Sequence, residues 1–320
     1  MKKLARLSVS SLAWAALIGN AVVILQGAIV RATGSGAGCG RHWPTCNGQV
    51  IPLSHTTESL IEFSHRLLSL TVLLLGAWLL AKVWQSRKER PALFVAGTAA
   101  FIFLILEALL GAATVLFGLT GENTTVARGV MVATHLVNSL LLMGTLTLTL
   151  VYTRNNAPRG PRFAHQGLLA SVLGLGLVAM LVLMFSGGIA AMGNTMFPSE
   201  SLSQGLAADF NPDSHPLIRL RILHPLIAIS VGIYLFLSLG LGFWLKPVAQ
   251  VKKIARVLFG VYIAQMVIGM ANLAFLAPAV LQILHLSLAV LSFVLLSALS
   301  AYALGAEARR SQTFNLIKEV

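Results

Sequence analysis

Four histidines stand inside long apolar runs of the chain, one in every second run: His65, His135, His224 and His285. Ionisable residues are costly within a membrane and usually mark a functional site there. Two histidines on facing helices of a four-helix bundle can bind one haem iron from opposite sides. The pattern therefore predicts two ligand pairs, His65 with His135 and His224 with His285. One such histidine alone would more often be a hydrogen-bonded core residue.

The residues before the first histidine of each pair differ in charge. Glu62 precedes His65 by three positions, so both face the same way on a helix, whereas the equivalent position before His224 is Arg221. We interpret this difference as one reactive site, with an acid that can move protons, and one electron-transfer site. The alternative is that Glu62 only interacts with the helix dipole. Glu107, in the middle of the third run, is either a packing residue or part of a proton path.

These residues lie in eight apolar runs, each about as long as the 20 residues that a membrane-spanning helix requires. The runs cover residues 11–31, 59–81, 93–118, 128–151, 166–188, 217–245, 254–275 and 279–304. We therefore predict an all-α integral membrane protein with eight transmembrane helices. The first run is too long for the core of a signal peptide, so we expect it to be retained.

The basic residues predict the orientation of these helices. If both termini lie on the same side of the membrane, that side carries 17 of the 23 Lys and Arg residues. Cytoplasmic loops carry such an excess, which predicts that both termini are cytoplasmic. All four membrane histidines then lie in the outer half of the bilayer. Two haems would sit there side by side, whereas an electron carrier that spans the membrane would stack them across it.

An internal duplication relates the two halves of the chain. Span 2 contains EFSHRLLSL and span 6 contains RILHPLIAI, while Glu107-ALL-Gly111 in span 3 matches Gln265-MVI-Gly269 in span 7. The order and direction of the spans agree between the halves. The sequence therefore predicts two tandem four-helix bundles, residues 1–155 and 156–320, related by a pseudo-two-fold axis along the membrane normal.

The composition excludes an ordinary cytosolic protein. Hydrophobic residues make up 57% of the chain and charged residues 10%, against about 25% charged residues in soluble domains. The net charge is +13 and the pI about 10.6, a balance that often indicates phosphate partners. Here the positive charges lie in short loops between apolar runs, so we expect a lipid bilayer around the protein and no nucleic-acid partner.

The chain has two cysteines, Cys39 and Cys46, in one predicted outer loop. An oxidising compartment favours a disulfide between them. Two unpaired thiols, or a redox-active pair that transfers electrons, are the alternatives.

The sequence resembles the bacterial haem A synthases that carry a cysteine pair in the first loop. The resemblance covers nearly the whole chain and is carried by GAIVRATGSGAGCGRHWPTCNGQVIP (27–52), ESLIEFSHR (58–66), GNTMFPSESLSQGLAADF (193–210) and HPLIA (224–228). It implies an oxidoreductase that converts haem O into haem A for terminal oxidases. The C8 methyl of haem O becomes a formyl group through successive hydroxylations.

The resemblance also implies a role for each site residue. His65 and His135 would flank the substrate haem in the N-terminal half, beside the required acid Glu62. His224 and His285 would ligate a resident haem b in the C-terminal half. Cys39 and Cys46 match the first-loop pair of the family, but the second cysteine pair of some relatives, between spans 5 and 6, is missing here.

Further partners follow from the resemblance and from the residues. A haem O synthase (protohaem farnesyltransferase) would supply the substrate, and the enzyme would reside in the cell membrane. The electron donor, the source of oxygen and homo-oligomer formation stay open. We expect the propionates of the haems to pair with arginines at the outer ends of the helices, unless these extend to lipid headgroups instead. These arginines are Arg66, Arg128, Arg219 and Arg221.

Two other functions share part of this pattern. A dihaem cytochrome b-like quinol or ferric reductase would need the four histidines but neither Glu62 nor the loop cysteines. A transporter would explain the repeat, but it would be expected to have helices interrupted at the middle of the membrane, and no matched Gly/Pro interruption is visible there.

Overall fold

The computed structural model describes residues 8–52, 56–154, 158, 160–164, 166–245 and 248–305. The basic residues near both termini, on which the predicted orientation depends, lie largely outside the described residues. So does the predicted boundary between the halves at residues 155 and 156.

The described residues fold into helices without a β-strand. Eight of the helices are long and apolar enough to cross a membrane, which confirms the prediction of an all-α, multi-pass membrane protein. The helices are α1 Val9–Ala32, α2 Thr57–Gln85, α3 Pro91–Leu116, α4 Val126–Thr153, α5 Gly167–Met196, α6 Leu202–Phe210, α7 Pro216–Arg219, α8 Leu223–Leu245, α9 Ala249–Ala274 and α10 Ala279–Gly305.

Polar residues and prolines at the helix starts explain several of these boundaries. The side chain of Thr56 accepts a hydrogen bond from the backbone N–H of Ser59 and caps α2, because the first N–H groups of a helix have no partner within it. Pro91 opens α3 and Pro216 opens α7, positions where the missing N–H of proline is not needed. Pro225 is tolerated for the same reason in the first turn of α8.

The fifth and sixth spans differ from their predicted bounds. Helix α5 continues to Met196, eight residues beyond the predicted end at 188. The predicted start of the sixth span at 217 falls within α7, which a short 3₁₀ turn, Leu220–Ile222, joins to α8. The predicted loop from 189 to 216 therefore contains the end of α5 and the whole of α6.

Contacts between the helices occur within each half of the sequence and also between the halves, where α4 packs against α5 and α10. Each of α1 to α4 packs against two others of this set, and α5, α8, α9 and α10 do the same. Glycines let α4 approach the second set closely, since a Cβ at Gly188 would lie 2.8 Å from the Cα of Ala133 and one at Gly144 would lie 2.9 Å from the Phe293 ring. The tandem bundles, their boundary and the symmetry axis stay predictions.

Candidate functional site

One cavity of about 1030 Å³ reaches all four membrane histidines. Its volume is at the upper end of the range for ligand pockets, about 300–1,000 Å³. Most of its lining side chains are apolar. The charged ones among them, histidines aside, are Glu62, Glu107, Asp209, Arg31, Arg66 and Arg221. The structure thus brings the two predicted histidine pairs to one shared space.

Each histidine ring lies against a glycine of the preceding long helix. A Cβ at three of these positions would press on the ring, whereas one at Gly111 would make an ordinary contact with it. The pairs, with the distance from an added Cβ to the ring Cε1, are Gly27 and His65 at 3.2 Å, Gly111 and His135 at 3.7 Å, Gly187 and His224 at 2.9 Å, and Gly269 and His285 at 3.0 Å. The duplication seen in the sequence is therefore repeated in the contacts of the histidines.

Hydrogen bonds fix the two histidines of the C-terminal half. His285 Nδ1 lies 3.1 Å from the backbone oxygen of Gln265, and because a carbonyl only accepts, Nδ1 carries the proton. His224 Nδ1 lies 3.0 Å from Ser186 Oγ, whose hydroxyl donates to the Leu183 carbonyl at 2.7 Å. His224 Nδ1 therefore also carries the proton and donates it in a hydrogen bond to Ser186 Oγ. Both rings keep an unprotonated Nε2, the form in which imidazole binds metal.

The separation of these two rings also fits a metal between them. The ring centroids of His224 and His285 are 6.2 Å apart and the ring planes are 88° apart. Two imidazoles on opposite sides of one metal, with metal–nitrogen bonds of about 2.0 Å and centroids about 1.1 Å behind the nitrogen, have centroids about 6.2 Å apart. The C-terminal pair fits a bis-histidine haem in both tautomer and spacing.

The histidines of the N-terminal half are held differently. His65 Nδ1 is buried and has no hydrogen-bond partner, which is unusual for a buried polar atom. His135 Nε2 lies 3.3 Å from Glu107 Oε1, and Asn138 and Ser139 donate to the same carboxylate. Glu107 is thus a histidine contact rather than a packing residue alone. The orphaned nitrogen of His65 and the glycine contacts fit a ligand here as well, but the Nε2 of His135 faces a carboxylate that a bound iron would have to displace.

Glu62 lies in the second turn of α2, where it holds the loop between α1 and α2 in place. Its side chain is buried, with 3% of the residue exposed. Oε2 accepts a hydrogen bond from the Cys39 backbone N–H at 2.9 Å, and Oε1 pairs with Arg66. Arg66 also donates to the carbonyl oxygens of His42 and Thr45, at 2.6 and 2.7 Å. The predicted reactive acid is therefore also the anchor of the loop.

The predicted disulfide is confirmed, since Cys39 and Cys46 are bonded. Both are buried, and the Cys39 carbonyl accepts a hydrogen bond from the Asn47 N–H at 3.0 Å. The preceding Gly38 touches the backbone of Glu58 so closely that a Cβ would collide with it. The disulfide loop therefore lies directly on the first turn of α2.

Arg221, at the position equivalent to Glu62, anchors the other long loop. Its Nε donates to Asp209 Oδ1 at 2.9 Å, and its Nη1 donates to Asn194 Oδ1 at 2.8 Å. These contacts tie α6 and the end of α5 to the start of α8. In both halves, the residue three positions before the first histidine holds the long loop that precedes it, and the two residues have opposite charge.

The other two predicted propionate partners lie away from the cavity lining. Arg128 donates to the carbonyl oxygens of Gly121 and Asn123, at 2.6 and 2.8 Å. Arg219 is exposed and contacts the Pro212 carbonyl oxygen at 3.4 Å. Pairing of Arg128 and Arg219 with propionates stays a prediction, and the cavity favours Arg66 and Arg221 over them.

Sequence reasoning missed two groups of this site. Arg31, at the end of α1, lines the cavity and bonds to α5 and α10, but its position resembles that of any arginine at a membrane boundary. Ser186, the partner of His224, is a common residue 38 positions away. Its place directly before Gly187, which aligns with Gly27, is the signal that could have located it.

Comparisons with known proteins identify the family of the chain. The family model named COX15-CtaA, described as cytochrome oxidase assembly protein, matches residues 10–298. The chain belongs to the COX15-CtaA family. It is similar to a protein of Thermus thermophilus named "Protoheme IX farnesyltransferase", with 44% identity over 302 residues, 93% of this chain and 49% of the relative.

Other relatives of this COX15-CtaA member match a shorter segment. The chain is similar to "Heme A synthase" of Lysinibacillus sphaericus, with 46% identity over 108 residues, 32% of this chain and 34% of the relative. For "Heme A synthase" of Bacillus licheniformis the identity is 49% over 100 residues, 30% of this chain and 32% of the relative. The chain spans about half the length of the Thermus relative and about a third of the two others.

Proposed function

We propose that this member of the COX15-CtaA family synthesises haem A by oxidising the C8 methyl of haem O to a formyl group. The observation that carries the proposal is the pair of unequal histidine sites in one apolar cavity. An apolar, farnesylated haem suits such a membrane-embedded space. The family match and the two relatives named heme A synthase support the same activity.

The hydrogen bonds of the histidines support different tasks for the two halves. His224 and His285 present preset Nε2 atoms, which suits a resident haem b that stays bound. His65 has no partner that presets its form, and His135 Nε2 must leave the Glu107 carboxylate before it can bind iron. Such a pair suits a haem that must enter as substrate and leave as product. The N-terminal half, 1–155, would thus hold the substrate haem and the C-terminal half, 156–320, the resident one.

A bound haem iron would supply the redox chemistry of methyl oxidation. The chain itself orients the substrate through His65 and His135 and excludes water with the apolar lining of the cavity. Glu62 reaches the cavity one turn from His65. Each of its oxygens accepts one hydrogen bond, and each keeps a second lone pair with which it can take up a proton from the reacting group.

The name and coverage of the Thermus relative suggest the source of the substrate. That protein is named for a protohaem IX farnesyltransferase, yet this chain matches only 49% of it. We infer that the remaining part carries the named activity and that a separate farnesyltransferase supplies haem O to the present chain. We also infer a location in the cell membrane with both termini in the cytoplasm, because of the Lys and Arg distribution.

The decisive experiment is to express the chain in cells that make haem O and to separate the extracted haems by chromatography. We expect haem A together with haem b bound to the purified protein. The matched control is the same chain in cells without a farnesyltransferase, where only haem b should be found. Haem b without haem A in both strains would support the dihaem electron-transfer alternative instead.

A further inference from the structure

Arg31 is a cation that extends from the first half of the chain into the second. It lies in the last turn of α1 and is partly buried. Its Nη1 donates to the Ala191 carbonyl at 3.3 Å and to Thr195 Oγ1 at 2.5 Å, both on α5. Its Nη2 donates to Gln282 Oε1 on α10 at 2.7 Å. An N-terminal residue thus contributes a charged group beside the C-terminal histidine pair.

Arg31 differs from the other arginines of the cavity in its partners. Arg66 pairs with Glu62 and Arg221 pairs with Asp209. Within the part of the chain that the structure describes, Arg31 pairs with no carboxylate and bonds only to neutral acceptors. A cation removed from water is stabilised by a counter-ion, and its burial is costly without one. The protein therefore presents an unmatched positive charge to the cavity.

The guanidinium of Arg31 also retains free donor capacity. It has five N–H donors, of which three have the acceptors named above. The Nε–H and one Nη2–H have no acceptor among the described residues, and these two groups can lie on one edge of the guanidinium. Such an edge matches the two oxygens of a carboxylate.

The acceptors of Arg31 place it next to the C-terminal pair. Ala191 lies four residues after Gly187, the glycine against the His224 ring, and Gln282 lies three residues before His285. At about 1.5 Å per helical residue, both lie about one turn from that pair. Relative to the histidine pair, Ala191 and Gln282 lie nearer to the helix ends that join the predicted outer loops. The charged edge of a porphyrin, with its two carboxylates, would point to this polar end.

We propose that Arg31 binds a carboxylate of the porphyrin held between His224 and His285, and so completes the C-terminal site from the N-terminal half. This inference rests on the proposed function, because it requires a porphyrin at that pair. It adds a residue to the site and links the two halves: α1 cannot leave the C-terminal helices without removing a contact of the bound cofactor.

The test compares Arg31→Gln with the parent, both purified as full chains from cells that make haem b alone. We expect haem b to dissociate about 10- to 100-fold faster to a haem-scavenging protein, the loss typical of a charge-assisted hydrogen bond. We also expect a lower midpoint potential, because an unpaired propionate favours ferric iron. Arg31→Lys, which keeps the charge, should remain closer to the parent in potential.

Two further measurements separate carboxylate binding from a role in holding the helices together. Thr195→Val and Gln282→Leu remove neutral acceptors of Arg31 but leave its charge, so their haem potential should stay at the parental value. Iron protoporphyrin IX dimethyl ester, which has no free carboxylate, should dissociate from the parent as fast as haem b does from Arg31→Gln. In the Arg31→Gln protein, the ester and the free acid should behave alike.

The inference is overturned if the parent holds the ester as firmly as the free acid, or if Thr195→Val and Gln282→Leu reproduce the full effect of Arg31→Gln. These results leave the proposed function intact when the parent still binds haem b and forms haem A. A parent chain that binds no haem b would overturn both.

Discussion

The two halves of the molecule hold equivalent histidines in unequal ways. In the C-terminal half, Ser186 and the Gln265 carbonyl each accept a hydrogen bond from a histidine Nδ1. In the N-terminal half, Gln26 occupies the position of Ser186 but donates to Ser64 at 2.9 Å, and His65 Nδ1 has no partner. The two halves thus keep equivalent histidines, while changes in the neighbouring residues decide whether a hydrogen bond fixes the tautomer of each histidine.

The residues at the equivalent positions 107 and 265 show the same divergence. Gln265 is neutral, and its backbone oxygen fixes His285 while its side chain accepts a hydrogen bond from Ser292 at 3.1 Å. Glu107 uses its side chain on the His135 ring instead. The C-terminal half thus fixes its histidine through the backbone, which cannot move away, whereas the N-terminal half uses a side chain that can. The first arrangement suits retention of a ligand and the second suits exchange.

The largest expected difference between the halves concerns removal of a histidine. His285→Ala should abolish the low-spin, bis-histidine spectrum of haem b, because the iron loses one of two axial ligands. His135→Ala should keep that spectrum and lose haem A formation. The measurement is the absorption and EPR spectrum of each purified variant. A complete bis-histidine signal in both His285→Ala and His224→Ala would contradict the assignment of the resident haem.

A smaller effect is expected from the acid that only the N-terminal half possesses. Glu62→Gln should fold and bind haem b but lower haem A per haem b by about 100-fold, the scale of a lost general acid or base. Glutamine retains an acceptor for the Cys39 N–H but cannot ionise. The yield is measured by chromatography of haems from cells that supply haem O.

Arg66→Gln is the comparison for this acid, because it breaks the same ion pair and leaves the carboxylate in place. Its affinity for haem O is measured in parallel, since Arg66 is also a predicted propionate partner. If Glu62 acts only as the anchor of the loop, the two variants should lose haem A to the same extent. A parental yield from Glu62→Gln would rule out a required ionisable group. Accumulation of the alcohol intermediate would place Glu62 in the second oxidation or the loss of water.

The smallest of these effects distinguishes the glycine contacts of the two halves. Gly187→Ala places a Cβ 2.9 Å from the His224 ring, so the ring must shift, and we expect haem b affinity to fall about tenfold, as for other changes next to a metal ligand. Gly111→Ala places its Cβ 3.7 Å from the His135 ring, an ordinary contact, and should leave both haems unchanged. Equal haem loss in the two variants would refute this difference, and titration with haem b measures it.

Much of this site could be predicted from the sequence because its elements repeat. Four histidines at matching places predicted two pairs, and the structure brings all four to one cavity. The loop cysteines indicated the disulfide that the structure contains. The end of α5 could not be predicted, because Gly193, Asn194 and Thr195 are not apolar although the helix continues through them. Arg31 was missed because its acceptors lie more than 150 residues away and only the fold brings them together.

The opposite charges at positions 62 and 221 have a consequence for assembly. Each outer loop carries groups that suit only its own anchor: a backbone N–H for Glu62, and the Asp209 carboxylate for Arg221. A loop docked on the wrong half would bring Asp209 towards Glu62. Two carboxylates at such a buried site repel each other. Since the two halves have similar helices inserted one after the other, this charge reversal favours the correct pairing of loop and helix as the chain enters the membrane.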